Sequence, residues 1–188
     1  DMSLVATGNT VILPGNTTAD GGDNSAFPRG DTFHFNASMI NILNENSLWD
    51  AATFIGEFAF NRRLNISANA DQLDPLATKD ASAIQFIFTP DYFQVMPGLD
   101  MQVPISFGFG IEGRSSVNGV LFPSEHGGNV SVGLKGDYNR MWRFSMTYNK
   151  YLGDAGSVIQ YDAPVPTLSY ENFHGDRDFI SLSVQRTF

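Results

Sequence analysis

The sequence predicts an all-β protein: an antiparallel transmembrane β-barrel, or the C-terminal strands of a larger one, with about seven or eight strands in this chain. Three observations predict this fold class. Apolar and polar residues alternate with a period of two along most of the chain. Helical periodicity is nearly absent. The connections between the alternating segments are short and long in turn, as in bacterial outer-membrane barrels.

Seven segments show the alternation, and each is expected to form a strand. The clearest places Met101, Ile105 and Phe107 on one side of the strand. In the first segment the alternation changes phase at Ile40 and Ile42, which predicts a bulge or burial on both sides. The segments are DTFHFNASMINIL (31–43), AATFIGEFAFN (51–61), ASAIQFIFTP (81–90), LDMQVPISFGFGIEG (99–113), GNVSVGLKGD (128–137), MWRFSMTYNKY (141–151) and RDFISLSVQRTF (177–188).

Composition excludes several classes of protein. The net charge of −9, from 11 Lys and Arg against 20 Asp and Glu, argues against nucleic-acid binding, which needs cations to displace counterions from phosphates. The 13% aromatic content excludes a disordered chain. Because there is no Cys, disulfides, thiolate zinc sites and cysteine nucleophiles are excluded. No window of about 18 apolar residues predicts a helical membrane span.

A soluble β-sandwich also alternates, but its apolar faces usually carry Val, Ile and Leu and its outer faces are charged. Here one side of the strands is rich in Phe, and the other carries mainly Ser, Thr, Asn, Gln and Gly. Strands of about 9 to 11 residues with a polar interior are typical of membrane barrels, which must close because a bilayer tolerates no open edge. This favours the barrel, and a soluble sandwich that acts as a binding module stays as an alternative.

The connections place the strands in a membrane. With the C-terminus on the periplasmic side, residues 44–50, 90–98 and 137–140 form the short turns, and residues 1–30, 63–80, 114–128 and 152–176 form the long outer loops. We therefore expect residues 1–30 to be an extracellular loop and residues 31–188 to be the strands of one barrel. Since such barrels have an even number of strands, either residues 3–13 add an eighth strand or further strands belong to a longer chain. Aromatic residues expected at the inner membrane interface cluster beside the short turns: Trp49, Tyr92, Phe93, Tyr138, Trp142 and Phe188.

The last strand carries an expected assembly signal, Ile180, Leu182, Val184 and Phe188. It resembles the C-terminal signal of Gram-negative outer-membrane proteins, which the barrel-assembly machinery reads. Arg186 departs from that signal, in which the third residue from the end is apolar or aromatic.

More narrowly, residues 92–117 (YFQVMPGLDMQVPISFGFGIEGRSSV), residues 56–62 (GEFAFNR) and the last strand resemble the C-terminal part of a Gram-negative family catalogued as domain of unknown function 1302. The PGLD turn before a long alternating strand is the most specific element. The resemblance implies a location in the bacterial outer membrane and a larger barrel, since members of that family are longer. It carries no activity and no catalytic residues. The genes that neighbour such members imply handling of lipids or other apolar solutes.

Five charged residues are expected to face the interior of the barrel: Glu57, Glu112, Lys135, Asp137 and Arg143. In an open pore, such charges would set ion selectivity. In a narrow barrel, they would instead pair with one another. The sequence leaves both interpretations open.

Other candidate sites are weaker, and we predict no catalytic residue, no metal site and no cofactor. His34, Asn36 and Ser38 share one strand face but span about 14 Å, which is too far for a hydrogen-bonded triad. HGDRD (His174, Asp176, Asp178) resembles a fragment of a metal site, but the sequence places no other His nearby. ADGGDN (Asp20, Asp23, Asn24) lacks the regular spacing and the terminal Glu of an EF-hand.

From these observations we expect an outer-membrane barrel that is a passive channel or port for small or apolar solutes or lipids, and not an enzyme. One alternative is a barrel that transports nothing and serves as a structural or surface-binding anchor. The expected partners are outer-membrane lipid, lipopolysaccharide, the barrel-assembly machinery and any further strands of the barrel. Nucleic acid is not an expected partner.

Overall fold

A computed structural model describes residues 2–3, 27–161 and 166–188. Their regular structure is antiparallel β, with single 3₁₀ turns at Ala70–Gln72 and Gly119–Leu121 and no α-helix. None of these residues belongs to a helix long and apolar enough to cross a membrane. The strands are β1 (Met2–Ser3), β2 (Arg29–Gly30), β3 (Thr32–Leu43), β4 (Ala51–Arg63), β5 (Asp80–Met96), β6 (Leu99–Gln102), β7 (Ile105–Gly113), β8 (Gly128–Tyr138), β9 (Trp142–Leu152), β10 (Ile159–Gln160), β11 (Thr167–Leu168) and β12 (Phe179–Arg186).

One large sheet holds most of the described residues. Its order is β12-β9-β8-β6-β5-β4-β3, with β7 paired to β5 and β8 beside β6. All seven segments predicted from the alternation form strands of this sheet. β1 pairs only with β2, and β10 only with β11. Of the eighth strand proposed over residues 3–13, residues 4–13 lie outside the described residues.

The long strand predicted over residues 99–113 is interrupted at Val103 and Pro104, and it forms β6 and β7 instead. Proline has no N–H to give to a neighbouring strand, which explains the break. The alignment survives because Val103 N–H donates to the Pro90 carbonyl at 3.0 Å and Gly133 N–H donates to the Pro104 carbonyl at 2.8 Å. β6 and β7 therefore occupy one strand position between β5 and β8.

The bulge predicted in the first strand is absent. β3 pairs with β4 without a register shift from Thr32 to Leu43. Ile40 and Ile42 simply lie on the same side as Ser38, and they are 71% and 80% exposed. The change of phase in the sequence is thus a change in which face carries apolar residues, not a change in backbone geometry.

Register shifts occur instead in the pairings of β5 with β7 and with β6. One shift pairs Ser82 with Glu112 but Ala83 with Gly110, which leaves an extra residue in β7. A second shift lies between Tyr92 and Met96. Since β5 extends to Met96, only residues 97–98 connect it to β6, so this turn is shorter than predicted.

The register divides the sheet into two faces, because residues directly opposite each other on paired strands project to the same side. Aromatic and aliphatic residues dominate one side, which we call the aromatic face: Phe33, Phe35, Met39, Phe54, Phe58, Phe60, Ile84, Phe86, Phe88, Ile105, Phe107, Phe109, Val130, Val132, Leu134, Phe144, Met146, Tyr148, Ile180, Leu182 and Val184. Mostly polar residues occupy the other side, which we call the polar face: His34, Asn36, Ser38, Glu57, Asn61, Gln85, Asp91, Ser106, Asn129, Ser131, Lys135, Asp137, Arg143, Ser145, Asn149, Ser183 and Gln185.

No second layer of the described chain covers the aromatic face. Rings on it touch across the strands, with centroids 5.8 Å apart for Phe54–Phe86 and 5.4 Å apart for Phe86–Phe107. Even so, Phe33, Phe35 and Met39 remain 50% exposed. Among the described residues, the buried hydrophobic residues are only Ala52, Ala81, Ala83 and Tyr170. The large apolar side chains therefore lie on the surface rather than in a core.

The connections sort by length as predicted. Residues 44–50, 97–98 and 139–141 form short turns at one end of the sheet, here called the turn end. The long connections, residues 64–79, 114–127 and 153–178, lie at the opposite end, here called the loop end. Because successive strand positions are antiparallel, alternate connections lie at opposite ends of the sheet.

The turn between β8 and β9 holds Asn139 and Arg140, both in the left-handed region with φ of 53° and 55°. Tight hairpin turns of this kind favour Asn-Gly, and a non-glycine left-handed residue costs about 1 kcal/mol. We expect Arg140→Gly to raise the free energy of unfolding, as measured by urea denaturation in detergent. Gly98→Ala is the opposite change, because it adds a side chain at a residue with a φ of 81°. Its Cβ would clash with Asn139 Oδ1, so this variant should have a lower free energy of unfolding. A loss of stability in Arg140→Gly would contradict this account of the turn.

Candidate functional site on the polar face

The turn end of the polar face forms a cavity of about 470 Å³. Two rows of polar residues cross its floor from strand to strand. The first row runs Asp91, Gln102, Lys135, Ser145 and Ser183, and the second runs Asp100, Asp137, Arg143 and Gln185. Three of the five charged residues predicted to face the interior, Lys135, Asp137 and Arg143, therefore meet in one place.

Most of the acids in this turn-end cavity have partners. Arg143 Nε lies 3.1 Å from Asp137 Oδ2. Gln102 Nε2 donates to Asp91 Oδ1 at 2.6 Å, and Asp100 Oδ1 accepts the Gln94 N–H at 2.8 Å. Asp91 was not singled out from the sequence because its segment, residues 90–98, was interpreted as a turn. Asp100 and Gln102 lie in the strand predicted over residues 99–113 but were not named as site candidates.

Lys135 differs from its neighbours in the cavity, since its ammonium makes no ion pair or hydrogen bond with the described part of the chain. It lies between Gln102 and Ser145 in the first polar row. An unpaired cation on the floor of a concave surface is available to a solute. The turn-end cavity thus contains one ion pair, between Asp137 and Arg143, and one cation, Lys135, that has no ionic partner in the described chain.

Glu57 lies farther along the polar face, in a row with Ser38 and Gln85. It lines a second cavity of about 330 Å³. The next row, toward the turn end, is apolar over three strands, where Ile40, Ile55 and Ile87 are aligned and exposed. The polar face therefore presents an apolar strip beside a carboxylate, a feature that the alternation alone did not reveal.

Glu112 does not join the other four predicted residues. The register shift places it opposite Ser82, which in turn lies opposite Phe60 of the aromatic face. An extra residue in a strand moves the residues after it to the other side of the sheet. The register thus assigns Glu112 to the loop-end edge of the aromatic face, and its predicted position on the polar face is wrong.

At the loop end, the long connections cover the polar face. Ser115 Oγ donates to Asn61 Oδ1 at 2.9 Å, and both residues are buried. Asp74 is fully buried and accepts the N–H groups of Leu76 at 2.8 Å and Leu168 at 3.1 Å. The second of these bonds joins two long loops, residues 64–79 and 153–178.

Tyr170 is packed into the same loops. Burial, with a smaller contribution from the nearby Asp74 carboxylate, raises the pKa of the Tyr170 phenol above its usual range. The Arg114 guanidinium lies 5.9 Å from the ring centroid and opposes that shift. Tyr170 is therefore a neutral phenol at neutral pH.

The weaker candidate sites do not assemble. His34 Nε2 lies 3.1 Å from Thr32 Oγ1, and no hydrogen bond links His34 to Ser38. Asp176 lies 3.4 Å from its neighbour Arg177, and the His174 ring packs against Phe173. Within the described ranges, no three His, Asp or Glu side chains are grouped to hold a metal. Asp20, Asp23 and Asn24 lie outside the described residues.

The expected assembly signal lies in the edge strand β12 and in Phe188, which follows it. Ile180, Leu182 and Val184 lie on the aromatic face and are exposed, and Phe188 is fully exposed. The Arg186 guanidinium lies 5.0 Å from the Trp142 ring centroid and 4.7 Å from that of Phe188. The residue that departs from the signal thus lies against two aromatic rings at the turn end.

Fold and site together define an all-β chain with one aromatic and one polar face. The model of the family described as "Protein of unknown function (DUF1302)" matches residues 2–188, so the chain belongs to this family. No curated protein and no solved structure matches the chain.

Asp74→Ala should loosen the covering loops. The substitution leaves two buried N–H groups without an acceptor, and each is expected to cost about 1 to 3 kcal/mol. Limited proteolysis followed by mass spectrometry should show faster cleavage within residues 64–79 and 153–178. The control is Asp71→Ala, at an exposed carboxylate in the same loop, which should leave the cleavage pattern unchanged. Equal protection of Asp74→Ala and the unaltered protein would contradict the role given to Asp74.

Asp178 ties the last long loop to β9. The Tyr151 N–H donates to its carboxylate at 2.9 Å, and this bond lowers the pKa of Asp178, helped by the Tyr148 hydroxyl and Lys150. A lowered pKa means that the carboxylate stabilises the fold above its unfolded pKa of about 3.9 and loses that effect as the pH falls through the folded pKa.

Asp178→Asn should therefore lower the thermal midpoint more at pH 7 than at pH 3. The control Asp176→Asn alters an exposed carboxylate beside Arg177, and it should give similar small shifts at both values. A pH-independent effect of Asp178→Asn would argue against the charge as the cause.

Proposed function

We propose that this chain forms part of the wall of a β-barrel in the bacterial outer membrane, with lipid against the aromatic face and a solute passage along the polar face. The observation that carries the proposal is the uncovered aromatic face. In water, an apolar surface of this extent would drive association or collapse. Hydrocarbon chains are a solvent in which exposed Phe, Ile, Leu and Val side chains are stable.

Strand length supports the same proposal. β3, β4, β8 and β9 have 12, 13, 11 and 11 residues, and a tilted membrane-spanning strand needs about 9 to 11. The aromatic residues Tyr138 and Trp142 lie opposite each other at the turn end, where an interfacial girdle would be expected.

The edges of the sheet favour a wall that continues beyond it. β3 and β12 each pair with a single strand, although a bilayer tolerates no open edge. The sheet has seven strand positions in strict antiparallel order, so β3 and β12 run in the same direction. Joining them directly, within one copy or between copies of the same orientation, would give a parallel pair. Closure therefore requires an odd number of further antiparallel strands.

For the passage, the polar face offers two cavities and a mixed chemistry. The turn-end cavity holds three carboxylates against two cations, and Glu57 lies beside the isoleucine strip. Such a surface suits small solutes with polar and apolar parts, and its acidic excess favours cations over anions.

A second candidate is a barrel that acts as an anchor and transports nothing, and the closed loop end favours it. There the loops are linked to each other through Asp74 and cover Asn61, Ala81 and Ala83. In either case the proposed partners are outer-membrane lipid, lipopolysaccharide and the assembly machinery. A soluble sandwich is not favoured, because no second sheet faces the aromatic residues within the described ranges.

A pair of adjacent substitutions tests which face meets lipid. Phe86 and Gln85 are neighbours in β5 on opposite faces. Phe86→Lys should destabilise the barrel in lipid vesicles by about 2 to 4 kcal/mol, whereas Gln85→Lys should be tolerated. Urea titrations of both variants in vesicles measure the difference. Equal effects, or a chain that is folded and monomeric without detergent, would overturn the membrane proposal.

Conductance separates the passage from the anchor. We expect the complete gene product in planar bilayers to give steady single-channel steps, and Lys135→Glu to increase the permeability of K⁺ relative to Cl⁻. The control Lys79→Glu makes the same charge change in a loop outside the turn-end cavity and should alter this ratio less. An intact barrel without conductance would favour the anchor.

A further inference from the structure

Aromatic side chains line a further cleft at the loop end, which shares only Asn129 with the second cavity described above. The cleft has a volume of about 210 Å³. Residues 121–123 form one side, and Tyr151, Tyr170, Phe173 and His174 supply its aromatic lining. Pockets for drug-sized ligands are usually about 300 to 1,000 Å³, so this cleft suits a ligand with a single ring.

The rings form a continuous series that leads onto the polar face. Centroids lie 4.2 Å apart for Phe173–His174, 5.1 Å apart for His174–Tyr151 and 6.4 Å apart for Tyr151–Phe179. Phe179 lies opposite Asn149, which places it on the polar face rather than among the exposed apolar residues of the aromatic face. Contact between lipid and the aromatic face therefore does not account for these four rings.

Hydrogen bonds fix this ring series in place without a ligand. Asn172 Nδ2 donates to the carbonyls of Gly128 at 3.0 Å and Leu152 at 2.9 Å, and Asn172 Oδ1 accepts the His174 N–H at 3.1 Å. The Ser124 hydroxyl donates to the Tyr170 carbonyl. A cleft ordered in advance loses little conformational freedom when it binds a ligand.

The polar groups of the cleft indicate the chemistry of its ligand. Glu171 and Asn129 line it, and the Tyr170 hydroxyl is buried without a hydrogen-bond partner in the described chain. Anions are disfavoured, because Glu171 is the only Asp, Glu, Lys or Arg among the described residues that line the cleft.

We propose that the cleft binds a neutral pyranose sugar. The C–H face of the sugar would pack on the aromatic rings, and its hydroxyls would bond to the carboxylate and amide groups at the rim. The proposal does not depend on solute passage along the polar face, since the cleft and its hydrogen bonds lie at the loop end.

The test uses glucose, galactose and mannose as probes, with saturation-transfer-difference NMR in an amine-oxide detergent that carries no sugar headgroup. We expect saturable binding of at least one hexose. Phe173→Ala, and Phe173→Leu as a variant that retains side-chain bulk, should weaken it about 3- to 10-fold. The matched control is Phe33→Ala on the aromatic face, since Phe33 is 50% exposed and Phe173 is 43% exposed. Circular dichroism verifies that each variant keeps its β structure.

Three results would overturn the proposal: no saturable signal with any of the three hexoses, an equal loss of binding in Phe33→Ala, or saturable binding of tetramethylammonium but of no hexose. The last result would identify the cleft as an organic-cation site, in which the rings and Glu171 act through cation–π and charge interactions.

Discussion

The structure depends on one constraint: no layer of the described chain covers the aromatic face of the sheet. In a soluble domain, Phe54, Phe86 and Phe107 would be packed against a second sheet or a helix, whereas here their ring contacts are with other rings of the same face. Every strand position in the sheet has a neighbour on both sides except β3 and β12, which lie at its two edges. The exposed apolar surface and the two unpaired edges are the observations on which the proposed membrane location rests.

The two ends of the polar face differ in a way that bears on function. At the turn end the face is open, and its charges are only partly neutralised by each other. At the loop end, buried carboxylate and amide groups hold the long connections together, through Asp74 between loops and through Asn172 between a loop and two strands. Entry of a solute from the loop end would therefore depend on these loop contacts, whereas at the turn end the polar face is already accessible.

Much of the fold could be predicted from the residue pattern. The seven strand segments, the sorting of short and long connections and the grouping of Lys135, Asp137 and Arg143 all follow from the alternation of side chains along a strand. Three features could not be predicted in this way. The proline at position 104 divides a strand, the shift at Ser82 moves Glu112 to the other face, and Asp91 belongs to paired strand rather than to a turn.

The sequence alone determined which residues share a side of each strand, because the period of two is a local property of extended backbone. It also established the family, the acidic balance and the absence of thiol chemistry. Only the tertiary structure decided which strands are neighbours, where the register shifts and which loop residues meet, such as Asp74 with Leu168. Those features depend on hydrogen bonds between residues far apart in the chain, and no local pattern encodes them.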